Sequence, residues 1–300
     1  MRRRDLMRGA CAAAASLVPA VVAAGAGGPG DLIGVAGAVT ATAETTLADL
    51  ALAHGLGFVE LVAANPEIDA WLPAPGSLIA LPGAHLLPDA PRRGIVVNYA
   101  DQRLYFFPPD GAPPVSHPIG IAADDVPVRL GSTTVTGKRR DPSWSPTATM
   151  RAAMPDLPAF IAAGPDNPLG SRALDLGWRG YVIHGTNRPY GIGRRVSQGC
   201  VRLYEDDIQA LFMRVPVGTP VRFVDQPVKL GWASGGLHLE IHPSTAQAIA
   251  LQESQKPPPE PVPELHARLL RAAGDRAARI DWDLVAAVAR RRSGMPVRIL

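Results

Sequence analysis

His184-Gly185-Thr186-Asn187 and, a few residues on, Ser197-Gln198-Gly199-Cys200-Val201-Arg202-Leu203 form the stretch on which the reading of this chain turns. The 300 residues contain 2 cysteines. Cys11 lies in an N-terminal run that reads as a cleaved export signal, which leaves Cys200 alone in the mature chain. A single thiol forms no internal disulfide and builds no thiolate-rich zinc site, so no metal is expected. A lone cysteine after a glycine, with a histidine sixteen residues upstream, is a candidate nucleophile with its base.

The neighbouring sequence supports that pairing. Tyr181-Val182-Ile183 reads as a short buried strand that ends at His184 and fixes the imidazole on a rigid element. Gly199 permits a sharp turn that leaves the sulfur accessible. Amides near Gly199 and Cys200 are placed to donate to an oxyanion, worth about 3–4 kcal/mol in acyl transfer. Tyr204 to Phe212 starts with acidic residues and carries apolar residues at Ile208, Leu211 and Phe212, a helix whose positive end is expected to favour the thiolate. Ser197 is excluded as a nucleophile because Arg195 occupies the first glycine position of Gly-x-Ser-x-Gly. The remaining histidines (54, 85, 117, 238, 242 and 266) read as structural.

Residues 1–26 combine Arg2, Arg3, Arg4 and Arg8 with an apolar run from Ala10 to Ala24 and small residues at Ala24-Gly25-Ala26. Arg3-Arg4-Asp5-Leu6-Met7-Arg8 is like a twin-arginine signal. Their removal takes the net charge from +3 to 0, so nucleic-acid binding is not inferred. Gly and Pro number 30 and 31, but a hydrophobic share of 47% argues for folded, loop-rich domains. Residues 27–38 read as a flexible lead-in. Residues 39–82 read as strand–helix–helix–strand, with Thr45 or Thr46 capping the first helix and Asn65-Pro66 ending the second. Leu86 to Arg93 is a Pro-containing linker. Residues 95–99 and 103–107 read as a hairpin, 108–180 as loops between short strands, and 220–224 as a closing strand. Residues 226–300 form a small α+β extension: a strand over 237–242, a Pro-rich connector over 256–263, and helices near 264–274 and 281–292.

The His184–Cys200 signature resembles the active site of L,D-transpeptidases of the YkuD type. The likeness runs over 92–225 and includes Ile95-Val96-Val97-Asn98, Arg103-Leu104-Tyr105, Pro118-Ile119-Gly120 and Asp141-Pro142-Ser143-Trp144. It implies a mainly β catalytic domain, a β-sandwich with one helix after the catalytic cysteine. It implies that Cys200 attacks the carbonyl between the third and fourth residues of a peptidoglycan tetrapeptide stem, releases D-alanine and holds the stem as a thioester for an amine. His184 would be base and then acid, oriented by the Gly185 carbonyl, with Gly199 and Cys200 amides as oxyanion hole. Ser197 would support the loop and Arg202 would shape it or bind a substrate carboxylate. Tyr181 is a further substrate-side candidate, and Trp178 either lines the cleft or packs in the core. Two positions depart from the family: Gln198 stands where many relatives have histidine, and Val126-Pro127-Val128-Arg129-Leu130-Gly131 replaces a Thr-Pro-x-Gly turn.

Residues 39–82 resemble a LysM module (βααβ), which implies binding to the wall glycan, although Ala43-Glu44 replaces the usual Gly-Asp. The combined expectation is an exported, periplasmic cell-wall enzyme. It has no cofactor and no membrane span after signal removal. Its partners are peptidoglycan and, as acceptor, a stem amine or an envelope protein. Hydrolysis at the same site and a catalytically silent wall-binding scaffold remain alternatives.

Overall fold

The computed structural model describes residues 30–300, so the export-signal reading of residues 1–26 lies outside the described residues. The chain begins with two short strands, β1 (Leu32–Gly34) and β2 (Gly37–Thr40). Helices α1 (Leu47–His54) and α2 (Phe58–Ala64) follow, then β3 (Leu78–Leu81) and β4 (Ala84–Leu86). Strands β2 and β3 pair antiparallel around the two helices, which gives the expected strand–helix–helix–strand order. Thr46 is the cap of α1: its hydroxyl accepts from Asp49 N, and the Asp49 carboxylate accepts from Thr46 N. The expected flexible lead-in is corrected. β1 pairs antiparallel with β4, and Asp31 and Leu87 extend that contact through a backbone hydrogen bond. A partner more than fifty residues away orders a segment whose own Gly/Ala composition favours no element.

The central element is a mixed eight-stranded sheet. Its strands are β5 (Gly94–Asn98), β6 (Arg103–Phe107), β7 (Val115–Pro118), β9 (Gly131–Arg140), β10 (Arg172–Leu176), β11 (Val182–His184), β13 (Val201–Arg202) and β14 (Pro220–Val224). The spatial order is β13-β11-β10-β9-β14-β5-β6-β7, with β11/β13 and β14/β5 parallel. Strands β8 (Ile121–Ala122) and β12 (Arg195–Ser197) form a separate parallel pair. Helix α3 (Ala148–Ala153) lies in the loop after β9, and α4 (Glu205–Arg214) follows β13. Instead of a second full sheet, α4 covers one face: Ile208, Leu211 and Phe212 join Ile95, Val97, Leu174, Ile183 and Val201 in one buried core. Alternate residues Val96, Tyr105 and Phe107 face the other way and are buried with Leu87.

The C-terminal part holds β15 (Val228–Ala233), β16 (Gly236–Ile241), α5 (Thr245–Gln252), α6 (Leu265–Ala273), α7 (Trp282–Arg291) and β17 (Val297–Arg298). Strands β15-β16-β17 form one sheet under α6 and α7. Helix α5 leaves it and places Ala248 and Leu251 in the core of the N-terminal unit. The three parts meet at buried charges. Glu60 of α2 binds Arg103 of β6 at 2.7 and 2.9 Å and accepts from Gly57 N. Lys229 Nζ lies 2.8 Å from Asp101 and 2.6 Å from Glu240, and His242 Nε2 is 2.6 Å from the same Glu240 oxygen. Asp101, Glu240 and His242 converge as metal ligands would, but the Lys229 ammonium already sits between the two carboxylates as their counter-charge. Among the described residues, no single helix is long and apolar enough to cross a membrane.

Candidate active site

Parallel pairing of β11 with β13 sets the site, with Ile183 opposite Val201 and His184 opposite Arg202. Ile183 and Val201 are buried in the core, so alternation turns His184 and Arg202 to the other face. The edge is pinned on both sides. Leu203 N donates to His184 O at 2.8 Å, and Arg202 and Gly120 exchange two backbone hydrogen bonds of 2.9 Å. Gly199 adopts φ +110°, a conformation that disfavours any side chain, and turns the chain into Cys200. Cys200 is partly exposed, and its thiol donates to Gly180 O at 3.5 Å.

His184 is 3% exposed, and its Nδ1 lies 2.6 Å from Gly185 O. A carbonyl only accepts, so Nδ1 carries the proton and Nε2 keeps a lone pair. Burial pushes the imidazole down to about 4; the Gly185 carbonyl resists this, and the charges of Arg202 and Arg139 add to it. For Cys200, burial pushes the thiol up, while Val182 backbone, Arg202 and Arg139 oppose. The same two guanidinium groups therefore act on both His184 and Cys200. Burial disfavours the charged form of both groups and so opposes the thiolate that the start of α4 is expected to favour.

Ser197 Oγ donates to Cys200 O at 2.7 Å and accepts from Gly199 N at 3.2 Å, which staples the loop. The Gly199 amide is occupied, whereas the Cys200 amide forms no hydrogen bond among the described residues. Arg202 Nε is buried without a partner, and Arg202 forms no ion pair among the described residues. Trp178, partly buried, packs against the core on Phe223 with ring centroids 5.0 Å apart and lies under Arg129 at 4.4 Å. Arg129 belongs to the segment that departs from the family turn. Tyr181 meets Trp178 edge-on and flanks Gly199.

Two residues escaped the sequence reading. The Glu205 carboxylate, read there only as a dipole-favourable charge, accepts from Thr186 N at 2.8 Å and Ser171 N at 3.1 Å. A Cβ at Gly185 would overlap that carboxylate, which explains the glycine after the histidine. Arg139, held by Asp175 at 2.7 Å, comes from the polar strand β9, where no local signal marks it.

The family model described as L,D-transpeptidase catalytic domain (YkuD) matches residues 92–223. The chain is 43% identical over 278 residues to "Probable L,D-transpeptidase ErfK/SrfK" of Escherichia coli K12, covering 89% of this chain and 87% of that protein. It is 40% identical over 263 residues to "Probable L,D-transpeptidase YcfS" of the same strain, covering 85% and 80%. The solved catalytic domain of an E. faecium L,D-transpeptidase is a distant likeness, 21% identical with a TM-score of 0.36, covering 45% of this chain and 99% of that one.

Proposed function

This chain belongs to the L,D-transpeptidase family, and we propose on that premise how its residues carry out cysteine-dependent acyl transfer on peptidoglycan. The observation that carries the assignment of roles is the His184 Nδ1 contact to Gly185 O, which leaves the Nε2 lone pair free to act as the base. Substrate binding brings the carbonyl of a tetrapeptide stem to Sγ. As the C–S bond forms, the thiol proton moves to Nε2, and the carbonyl oxygen becomes an oxyanion facing the Cys200 amide. Collapse breaks the C–N bond, and the imidazolium gives its proton to the departing amine of D-alanine. The stem remains as a thioester. An acceptor amine then attacks, His184 takes its proton, and the thiol is restored. Arg202 and Arg139 favour the developing thiolate, because positive charge lowers its energy. Ser197 and Glu205 are positioning residues for the cysteine and histidine loops.

The strand–helix–helix–strand unit is the glycan-binding module of this reading, LysM-like, and would hold the enzyme on its polymeric substrate in the periplasm. Water as acceptor would make the same site a hydrolase. Mass spectrometry of purified protein mixed with disaccharide-tetrapeptide, with and without Cys200→Ala, separates these readings. Dimers one D-alanine lighter than two monomers, absent in the variant, support transpeptidation. Tripeptide product without dimer supports hydrolysis, and no change in either protein overturns the assignment to Cys200.

A further inference from the structure

The strand that leads to Cys200 stands apart from the main sheet. β12 pairs with the two-residue β8 in a sheet of its own. Ser197, at the end of β12, makes the staple to Gly199 and Cys200. Attack on a carbonyl tolerates little error, since a misplacement of about 1 Å can cost about 10²-fold in rate. A loop so thinly paired gains from support outside the sheet, and the N-terminal unit supplies it.

The unit meets the loop at the turn between α1 and α2, on both sides of Cys200. Before the cysteine, Ile192 O accepts from Phe58 N at 3.2 Å, and Gly193 O accepts from Val59 N at 3.1 Å. The two backbones touch. A Cβ at Gly57 would lie 2.9 Å from Gly193 Cα, and one at Gly193 would overlap Phe58 N. Arg194 then lays its guanidinium over the buried Phe58 ring, 3.5 Å from the centroid. Helix α5 closes the other side: Arg194 Nη1 donates to Gln252 O at 3.4 Å, and Arg195 N donates to the Gln252 side chain at 2.8 Å. After the cysteine, the buried Tyr204 donates its hydroxyl to Leu56 O at 2.9 Å. Residues 192–204 are therefore tied at both ends to one turn of the N-terminal unit. A module that only tethers the enzyme to a polymer needs none of these contacts, because a flexible linker would serve.

We propose that the turn between α1 and α2 is the outer support of the catalytic loop, so that the N-terminal unit positions Cys200 in addition to any hold on the wall. Gly57, Phe58 and Arg194 are positioning residues here and act on the thiol through Ser197. This role rests on the reading of Cys200 as the acyl carrier, and it holds whether or not the unit binds glycan.

Steady-state kinetics of the purified chain on soluble disaccharide-tetrapeptide tests this, because a small donor needs no tether. Gly57 has φ −84°, so Gly57→Ala is permitted by its own backbone and acts by wedging the two segments apart. Turnover should fall at least about tenfold with KM unchanged. Arg194→Ala should give a similar loss if Gly57→Ala does not fold. Arg194→Lys, which keeps a cation over Phe58, should recover most of it. Alkylation of Cys200 by iodoacetamide needs no substrate. It should run severalfold faster in Gly57→Ala and Arg194→Ala, since a released loop relieves the burial that disfavours the thiolate. Two results overturn the proposal. One is unchanged turnover and alkylation in the folded variants, which leaves the unit as a tether. The other is a raised KM with turnover kept, which assigns the contact to substrate binding. A wild-type chain that forms no product, but whose alkylation responds to Gly57→Ala, would overturn acyl transfer at Cys200 and support the positioning role.

Discussion

His184 on its strand edge and Lys229 at the junction of the three parts are buried to the same depth, 3% and 2% exposed, yet they are driven in opposite directions. Burial drives both toward the neutral form. At His184 nothing anionic answers it, and the imidazole falls to about 4. At Lys229 burial is the largest effect, but the carboxylates of Asp101 and Glu240 together raise the ammonium above its usual value. Asp101 shows the mirror image: burial would raise it, and Lys229, His242 and Tyr105 hold it down. Pairing, not depth, decides whether a buried group is locked as a charge or kept neutral and ready to exchange a proton. The active site is built from the unpaired kind, the junction from the paired kind.

The sharpest way to break this contrast is to remove the unpaired thiol. Cys200→Ala should abolish acyl-enzyme formation and lower turnover by at least about 10⁴-fold while leaving the melting curve nearly in place, since the thiol makes only one long 3.5 Å hydrogen bond, to Gly180 O. Intact-mass detection of the thioester checks it. His184→Asn comes next, with turnover expected to fall about 10²–10⁴-fold. It also tests the titration. The unfolded histidine takes up a proton near 6.5 and the folded one near 4, so the unfolded state binds more protons in that window. Stability should therefore decline as pH drops from 6.5, by about 3 kcal/mol once pH is below 4. In His184→Asn that share of the acid sensitivity should vanish from denaturant titrations run at pH 7 and pH 4.

At the junction the effect should appear in stability. Glu60→Gln leaves Arg103, 4% exposed, without its counter-charge, and should cost about 3–5 kcal/mol. The double change Glu60→Leu with Arg103→Met should recover most of that loss. Failure to recover would mean that the carboxylate acts mainly through Gly57 N, as a local helix-start contact.

What the sequence disclosed follows the same division. His184, Gly199 and Cys200 lie in two short segments, and their chemistry is local enough to read from residue types. The hairpin over 95–107, the helix after Cys200 and the two last helices were legible because apolar periodicity and turn residues mark them. The strand β9, with Gly-Ser-Thr-Thr-Val-Thr-Gly-Lys-Arg-Arg, carries no such pattern, because its neighbours β10 and β14 supply its order. Helix α5 escaped because its cap is a capping box of ordinary Ser and Gln, and its apolar face is completed only by the distant N-terminal core. Charges that act across units, such as Glu60 with Arg103, leave no trace in spacing.

Glu205 lies between the two kinds of region and gives the finest test. Its carboxylate is partly buried and bound to amides, not to a cation, so it has partners without a counter-charge. If its task is to hold the Thr186 and Ser171 amides, and through them the turn that carries the Gly185 carbonyl, then Glu205→Gln keeps one acceptor and weakens the bracket. Stability should fall by only about 1–2 kcal/mol. Turnover should fall about tenfold at unchanged KM, because a loosened Gly185 carbonyl no longer fixes which nitrogen of His184 bears the proton. A larger loss of stability with no loss of turnover would assign Glu205 to the fold alone. The comparison would then narrow to His184 and Cys200 as the only groups whose burial serves the chemistry.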